Sequence, residues 1–348
     1  MPALPPRLSL EQVRRLAKDL LRDLKDGDRA AIRRLAVVSA PSTLAGAQLA
    51  IAREYGFPSW ARLKRDVELR EILDSLDVGR LRALVAEEPD LASTTMEHWV
   101  DHPAGASPLG YVAMLRYDTT RGIWREVDGA GAIAGILVAA GAPVDGQKGV
   151  PETPLISAAS YGDAGVARVL IGAGADLEAR ACDVAGGVPG GTALLHAAVF
   201  GMSDVVDVLV EAGARIEGIE VAAAVGDVTE WLAGAAPDAL TRALVMAARH
   251  ERLDVIDRLL ALGTPVDAVD PVFGGHPLRA AAQAGRPGSV GQLLAAGADP
   301  NRETTAVGRP WTSAGRVSQS TRASTAIARS RPPRPDHRSH LRRLAPEA

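Results

Sequence analysis

The sequence predicts an all-α solenoid of stacked helix pairs, with short finger loops, a small helical module ahead of it and a tail without apolar periodicity behind it. Three observations predict this. One segment recurs four times along the chain, and self-similarity at a near-fixed period is the mark of a repeat architecture. Within each copy the apolar residues follow helical spacing and glycines fall where helices end. Apolar residues make up 47% of the 348 residues but aromatics only 3%, so the elements must pack through small side chains at close range.

Residues 1–72 form the module and carry 14 Lys/Arg against 9 Asp/Glu. "LEQVRRLAKDLLRDLKDGD" sets Val13, Leu16, Leu20, Leu21 and Leu24 at helical spacing opposite charged positions, and "AGAQLAIAREYGFPSWARLKRDVELREIL" supplies further helices around a "GFPSW" turn. Phe57 and Trp60 are expected in its core, which would cap the repeats that follow. The opening "MPALPPRLSLEQVRRL" lacks the apolar stretch of a secretory signal, and the longest apolar run, from Gly129, is too short to span a membrane. Cys182 is the single cysteine, which excludes an intrachain disulfide and a Cys-based metal cluster. Together these point to a cytoplasmic protein, and the excess of Arg over Lys points to a GC-rich bacterial gene.

Residues 73–301 form the array. "TPLISAASYGDAGVARVLIGAGADLEA" from Thr153 is echoed by "TALLHAAVFGMSDVVDVLVEAGARIEG" from Thr192 and by "HPLRAAAQAGRPGSVGQLLAAGADPN" from His276, and "RALVMAARHERLDVIDRLLALGTPVDA" from Arg242 keeps the pattern with a weaker start. The Thr hydroxyl caps an orphan backbone N–H, and Pro is harmless in the first helical turn. Ala pairs at 158/159, 197/198, 247/248 and 281/282 let neighbouring units approach. Gly162, Gly201 and Gly285 end the first helix, and Gly174, Gly213, Gly263 and Gly297 end the second. Between Gly213 and Gly263 lies a stunted unit, "GIEVAAAVGDVTEWLAGA", and the unit opening at Ser107 is interrupted by "LRYDTTRGIWREVDGAG" before its second helix. "ILDSLDVGRLRALVAEEPDLAS" is a divergent first unit, and the loop "EARACDVAGGVPGG" holds about six extra residues.

These residues resemble the ankyrin repeat, whose pattern is Thr-Pro-Leu-His, an Ala pair, Gly, an apolar second helix and Gly-Ala-Asp. The module is similar to the helical leader of bacterial ankyrin proteins. The resemblance implies a non-enzymatic scaffold or adaptor that binds a protein partner on its concave surface and needs no cofactor. It places contacts on the pair after Ala-Ala, namely Ser160 and Tyr161, Val199 and Phe200, Arg249 and His250, Gln283 and Ala284. It places others just ahead of the Thr-Pro position, at Val150, Glu152, Val188 and Phe273. Tyr161, Phe200 and His250 would line one strip, either as anchors or as filling between units, and Tyr117 and Trp124 in the interruption form a second patch. The motif's His is missing from the fourth position, occupied by Ile156, Leu195 and Arg279, while His196 stands one place later; weaker polar bonding within each unit is expected.

The array carries 15 Lys/Arg against 30 Asp/Glu, which suggests a basic partner and disfavours nucleic acid, whose phosphates it repels. The sequence gives no oligomeric state. The alternative function is a metal- or nucleotide-dependent enzyme. His98 and His102 stand four apart, near Glu97 and Asp101, but no third ligand is specified and Trp99 reads as loop packing. Gly129–Gly131 open a Gly-x-Gly-x-x-Ala resembling a dinucleotide fingerprint, in surroundings that match a repeat's second helix.

Residues 302–348 carry 10 Lys/Arg against 3 Asp/Glu. The next Thr-Pro-Leu is due near residue 309, where "GRPWT" stands. Read two bases later, codons for those residues permit Thr-Pro-Leu-Asp-Val, so the tail is a candidate for a shifted frame that replaced the last unit. The rival reading is a disordered basic arm that contacts anionic surfaces. Either way the stripe Val290, Leu293 and Leu294 is expected to be poorly covered.

Overall fold

The computed structural model describes residues 4–5, 7–96, 98–99, 106–118, 121–183, 185, 187–272 and 275–302. The tail from residue 303, with both readings of it, lies outside the described residues, as do Phe273 and His102. Among the described residues no helix is long and apolar enough to cross a membrane.

The module begins with α1 (Leu10–Lys25), opened by a reciprocal cap in which the Ser9 hydroxyl accepts from Gln12 N–H and the Gln12 side chain accepts from Ser9 N–H. Val13, Leu20 and Leu24 are buried as the spacing demands, but Leu16 is 37% exposed, because the apolar stripe is wider than the surface α1 shares with its neighbours. Three further helices follow, α2 (Arg29–Val37), α3 (Leu44–Glu54) and α4 (Trp60–Ser75), each with a side-chain cap, from Asp28, Thr43 and Ser59. Phe57 is buried in the turn before α4, and Trp60 is half-buried. Helix α4 runs across residues 72 and 73, where the sequence divides module from array, and packs on α5 (Val78–Glu87).

A 3-10 turn, Pro89–Ser93, leads to the first full unit. Its first helix, α6 (Pro108–Ala113), is followed by an antiparallel hairpin of β1 (Tyr117–Asp118) and β2 (Ile123–Trp124), then by α7 (Ala130–Ala139). The expected helix pairs continue as α8 (Pro154–Tyr161) with α9 (Ala164–Gly172), and α10 (Ala193–Phe200) with α11 (Ser203–Glu211). The stunted unit is α12 (Ile219–Val225), with a single 3-10 turn, Thr229–Trp231, in place of its second helix. The array ends with α13 (Pro237–His250), α14 (Leu253–Ala261), α15 (Pro277–Gln283) and α16 (Pro287–Ala295). Helix α13 begins at Pro237, ahead of Arg242, where Pro suits the first helical turn, and it has no side-chain cap.

First helices pack on first helices, from α6 through α8, α10, α12 and α13 to α15, and second helices on second helices, α7 on α9 on α11 and α14 on α16. All four Ala pairs are fully buried, so backbones approach where a larger residue would wedge them apart. The left-handed conformation expected at helix ends is present, for example at Gly162 (φ 73°) and Gly174 (φ 87°). Thr153 and Thr192 accept from Ile156 and Leu195 N–H at 3.2 and 3.3 Å. Neighbouring fingers are stitched at repeat spacing: Asp145 accepts from Asp176 N–H at 2.9 Å, Glu178 from Arg215 N–H at 2.8 Å and Asp267 from Asp299 N–H at 3.2 Å.

Two expectations fail. Val290 and Leu293 are buried, not poorly covered, because α16 turns them toward the interior of its own unit, and of the expected stripe only Leu294 is half-buried. Polar bonding is not weakened where His196 stands, since its fully buried ring accepts Val188 N–H on Nε2 at 2.9 Å and donates from Nδ1 to Thr192 O at 2.9 Å. His196 therefore ties the long loop back to α10. Burial lowers its pKa, in keeping with that neutral tautomer.

Candidate partner-binding surface

The candidate contacts sit at the two ends of the first helices. Each Ala pair turns inward, which aims the next residues along the last turn toward the face shared by the first helices. On α8 that residue is Tyr161. The hairpin inserted in the preceding unit meets it there: Tyr117 and Trp124 both lie 6.1 Å from Tyr161 between ring centroids and 5.2 Å from each other. The strip and the patch expected from the sequence are thus one cluster on this side, with Tyr117 buried and Trp124 and Tyr161 half-buried. The hairpin is anchored by an Arg7–Asp118 ion pair and by the Arg125 guanidinium donating to Leu115 O at 2.5 Å.

Glu152 stands just ahead of α8, half-buried, and accepts from Gly187 N–H at 3.3 Å. Burial raises its pKa. Burial, helped by the charge of Glu152, pushes the Tyr161 phenol up to about 12. Val150 is half-buried in the same finger; Val188 is buried; Ser160 donates its hydroxyl to Ile156 O at 2.9 Å. Phe200 is half-buried with its ring 6.2 Å from His196, Val199 is buried, and Gln283 and Ala284 are half-buried at the end of α15.

His250 is no surface anchor. It is 3% exposed, donating from Nε2 to Ala198 O at 2.7 Å and accepting the Ser203 hydroxyl on Nδ1 at 2.9 Å. Burial, with Arg249, Arg286 and Arg252 nearby, lowers its pKa to about 3. The last turn of α13 reaches past the Ala-rich α12 to α10. Arg249 does the same, donating to Val199 O, and burial lowers its pKa to about 10. These two residues fill the space between units.

Sequence reasoning missed a set of arginines that bond to first-helix carbonyls. Arg116 donates to Gly162 O, Arg252 to Ala224 O at 2.8 Å, and Arg286 to Gly201 O at 3.2 Å, Arg249 O at 3.1 Å and the Ser203 hydroxyl at 2.8 Å. A cation there satisfies orphan carbonyls and opposes the negative end of the helix dipole. Arg252 and Arg286 occupy the same place in their units, directly after the left-handed residues Glu251 and Gly285, a recurrence that was available in the sequence.

Those residues of the enzymatic alternative that the structure describes stand in packing contacts. The His98 ring packs 4.3 Å from Phe57, and Trp99 is buried with its indole N–H on Asp66 at 2.9 Å. Among the described residues no group of three or more His, Cys, Asp or Glu is placed to hold a metal. Gly129 is the N-cap of α7 with φ 94°, and a Cβ on Gly131 would meet Gly165 O at 3.0 Å, so these glycines serve the start of α7 and its close packing on α9.

The chain matches the family model described as ankyrin repeats (3 copies) over residues 128–218 and that described as ankyrin repeats (many copies) over residues 244–295. Among solved structures, the human ASB11 ankyrin repeat domain is similar at 19% identity and a TM-score of 0.37, over 76% of this chain and 98% of that one. No curated protein matches.

Proposed function

From the premise that residues 128–218 and 244–295 belong to the ankyrin-repeat family, we propose that the protein is a non-enzymatic interaction scaffold whose first-helix face and fingers capture a protein partner. The observation that carries this reading is the cluster of Tyr161 and Trp124, two large rings that the chain covers only in part. Aromatics at half-covered positions are the usual anchors of protein interfaces. Phe200 and Gln283 extend the same face over two further units; Val150 and Glu152 border it, and Phe273 belongs to the same set by its place in the repeat. The array's excess of Asp/Glu supports a basic partner and speaks against nucleic acid on this face. A cytoplasmic, bacterial setting is part of the same reading.

The test places photo-crosslinking residues at Trp124, Phe200 and Gln283 and, for contrast, at the exposed second-helix positions Arg168, Asp207 and Asp257. Crosslinking to one defined protein from the first set alone supports the reading. Equal crosslinking from both sets overturns it.

A further inference from the structure

The hairpin that carries Tyr117 and Trp124 needs outside contacts to hold its place. Its strands are two residues long, and an isolated two-stranded ribbon is marginal in water. Tyr117 pairs across it with Trp124, and Asp118 with Ile123. Side chains alternate along a strand, so the two rings share one face, which packs on Tyr161, and Asp118 stands on the other. Asp118 is 8% exposed, and a carboxylate so far out of water depends on its partners. Its Oδ1 accepts from Arg121 N–H at 3.1 Å, within the hairpin. Its Oδ2 accepts from the guanidinium of Arg7, which stands 111 residues earlier in the chain.

Arg7 is fixed in turn by the helical module. Leu4 is fully buried, donates its N–H to His98 O at 2.6 Å and pairs in parallel with Trp99, the ring against which Arg70 of α4 stacks. Leu8 is buried, with its N–H donating to Pro5 O at 3.3 Å, and Ser9 then caps α1. Between these anchors Arg7 takes φ 62°, a left-handed conformation that a residue with a Cβ adopts where its surroundings impose it.

Resting on the interaction reading above, we propose that Arg7 is a positioning residue for the binding surface, through which the module braces the hairpin so that Tyr117 and Trp124 stay against Tyr161. Arg7 grips the face of the hairpin opposite the rings. Drawing Leu4 and Leu8 off their seats frees the hairpin and weakens partner binding, and by reciprocity a bound partner tightens the seat. The module thereby governs the first-helix face from outside the array.

The test is amide exchange of the full chain, read at the hairpin, at α4 and at α13 to α16. Fluorine NMR of fluorotryptophan-labelled protein accompanies it, with the Trp124 signal assigned by its loss in Trp124→Phe. Arg7→Gln should speed exchange of the hairpin about tenfold and move the Trp124 signal toward that of the free amino acid, while α4 and α13 to α16 keep their protection. Arg7→Lys retains the charge and should stay within about threefold of the unaltered chain. Arg7→Gly relieves the left-handed backbone but removes the side chain, so a loss equal to that of Arg7→Gln assigns the effect to the guanidinium. An unmoved hairpin in Arg7→Gln overturns the proposal, as does equal acceleration of α4, which would mark a general loosening of the module. The yield of the Gln283 crosslink should fall several-fold in Arg7→Gln, and an undiminished yield beside a loosened hairpin overturns the coupling to binding. A loosened hairpin with no first-helix crosslink in the unaltered chain would remove the scaffold reading and leave the brace standing.

Discussion

Upstream of the stunted unit one core runs from Leu4 to Val221; downstream a second runs from Val188 to Ala298, and the two overlap around α10 to α12. They are built differently. Among the described residues the buried aromatics Phe57, Trp99 and Tyr111 belong to the first, and the second has no buried aromatic. The second is dominated by Ala and Val. Polar groups are also used differently. In the first core Arg70 lies between the ring faces of Trp99 and Tyr111, 4.5 Å from each, and pairs with Asp74 at 3.3 Å, so α4 is fastened to the first full unit through stacked large side chains. In the second, which lacks such stacked rings, Arg249, His250 and Arg286 bridge to α10 through backbone carbonyls. Where the hydrophobic seam is thin, directional bonds set the spacing of units.

The sharpest way to break this contrast is Trp99→Ala. It leaves a cavity in the first core, uncovers Arg70 and deprives Asp66 of its partner, at a cost of about 4 kcal/mol. Amide exchange in α1, α4 and α6 should accelerate strongly while α13 to α16 keep their protection; uniform acceleration would mean the two cores unfold as one. Ala198→Leu tests the opposite construction. The site is fully buried between units, so the larger side chain must push α10 and α12 apart, at about 3 kcal/mol by urea unfolding. A neutral result would show that the seam has room to spare.

His250 gives a smaller and pH-dependent effect. Its folded pKa is about 3, below the ordinary 6.5, so between those values the unfolded chain binds more protons. The His250 contribution is complete above about pH 6.5 and is lost as pH falls toward 3. At pH 5 it has cost about 2 kcal/mol. His250→Gln should remove that part of the acid sensitivity, measured as the difference between melting at pH 7.5 and pH 5; the same slope in both proteins would contradict the buried neutral ring. Raised pKa values at Asp66 and Glu152 act in the opposite sense, favouring the folded state at lower pH, and cancel in the comparison.

The helix pairs were legible because their signals are local: a Thr or Ser that caps, an Ala pair, a Gly that must take positive φ. The stunted unit was legible too, from the few residues between Gly213 and Gly234. What sequence did not disclose was how its neighbours meet across it. His250 stands at the repeat position held by Tyr161 and Phe200, yet it reaches past the Ala-rich α12 to Ala198 and Ser203. The arginine stitches escaped for a related reason, since Arg after the helix break suits an exposed turn equally well until the neighbouring carbonyl is placed beside it. The joining of Tyr117 and Trp124 to Tyr161 depended on where an inserted hairpin folds, which periodicity does not encode.

The central claim, that the first-helix face is the binding surface, is tested most directly by hydrogen exchange of the full chain with and without the crosslinked partner at saturation. The account predicts slowed exchange confined to the fingers at residues 150–152 and 187–188, the hairpin, and the last turns of α8, α10 and α15, with the second helices unchanged. Protection centred on α9, α11 and α14 instead would place the partner on the opposite face and contradict it.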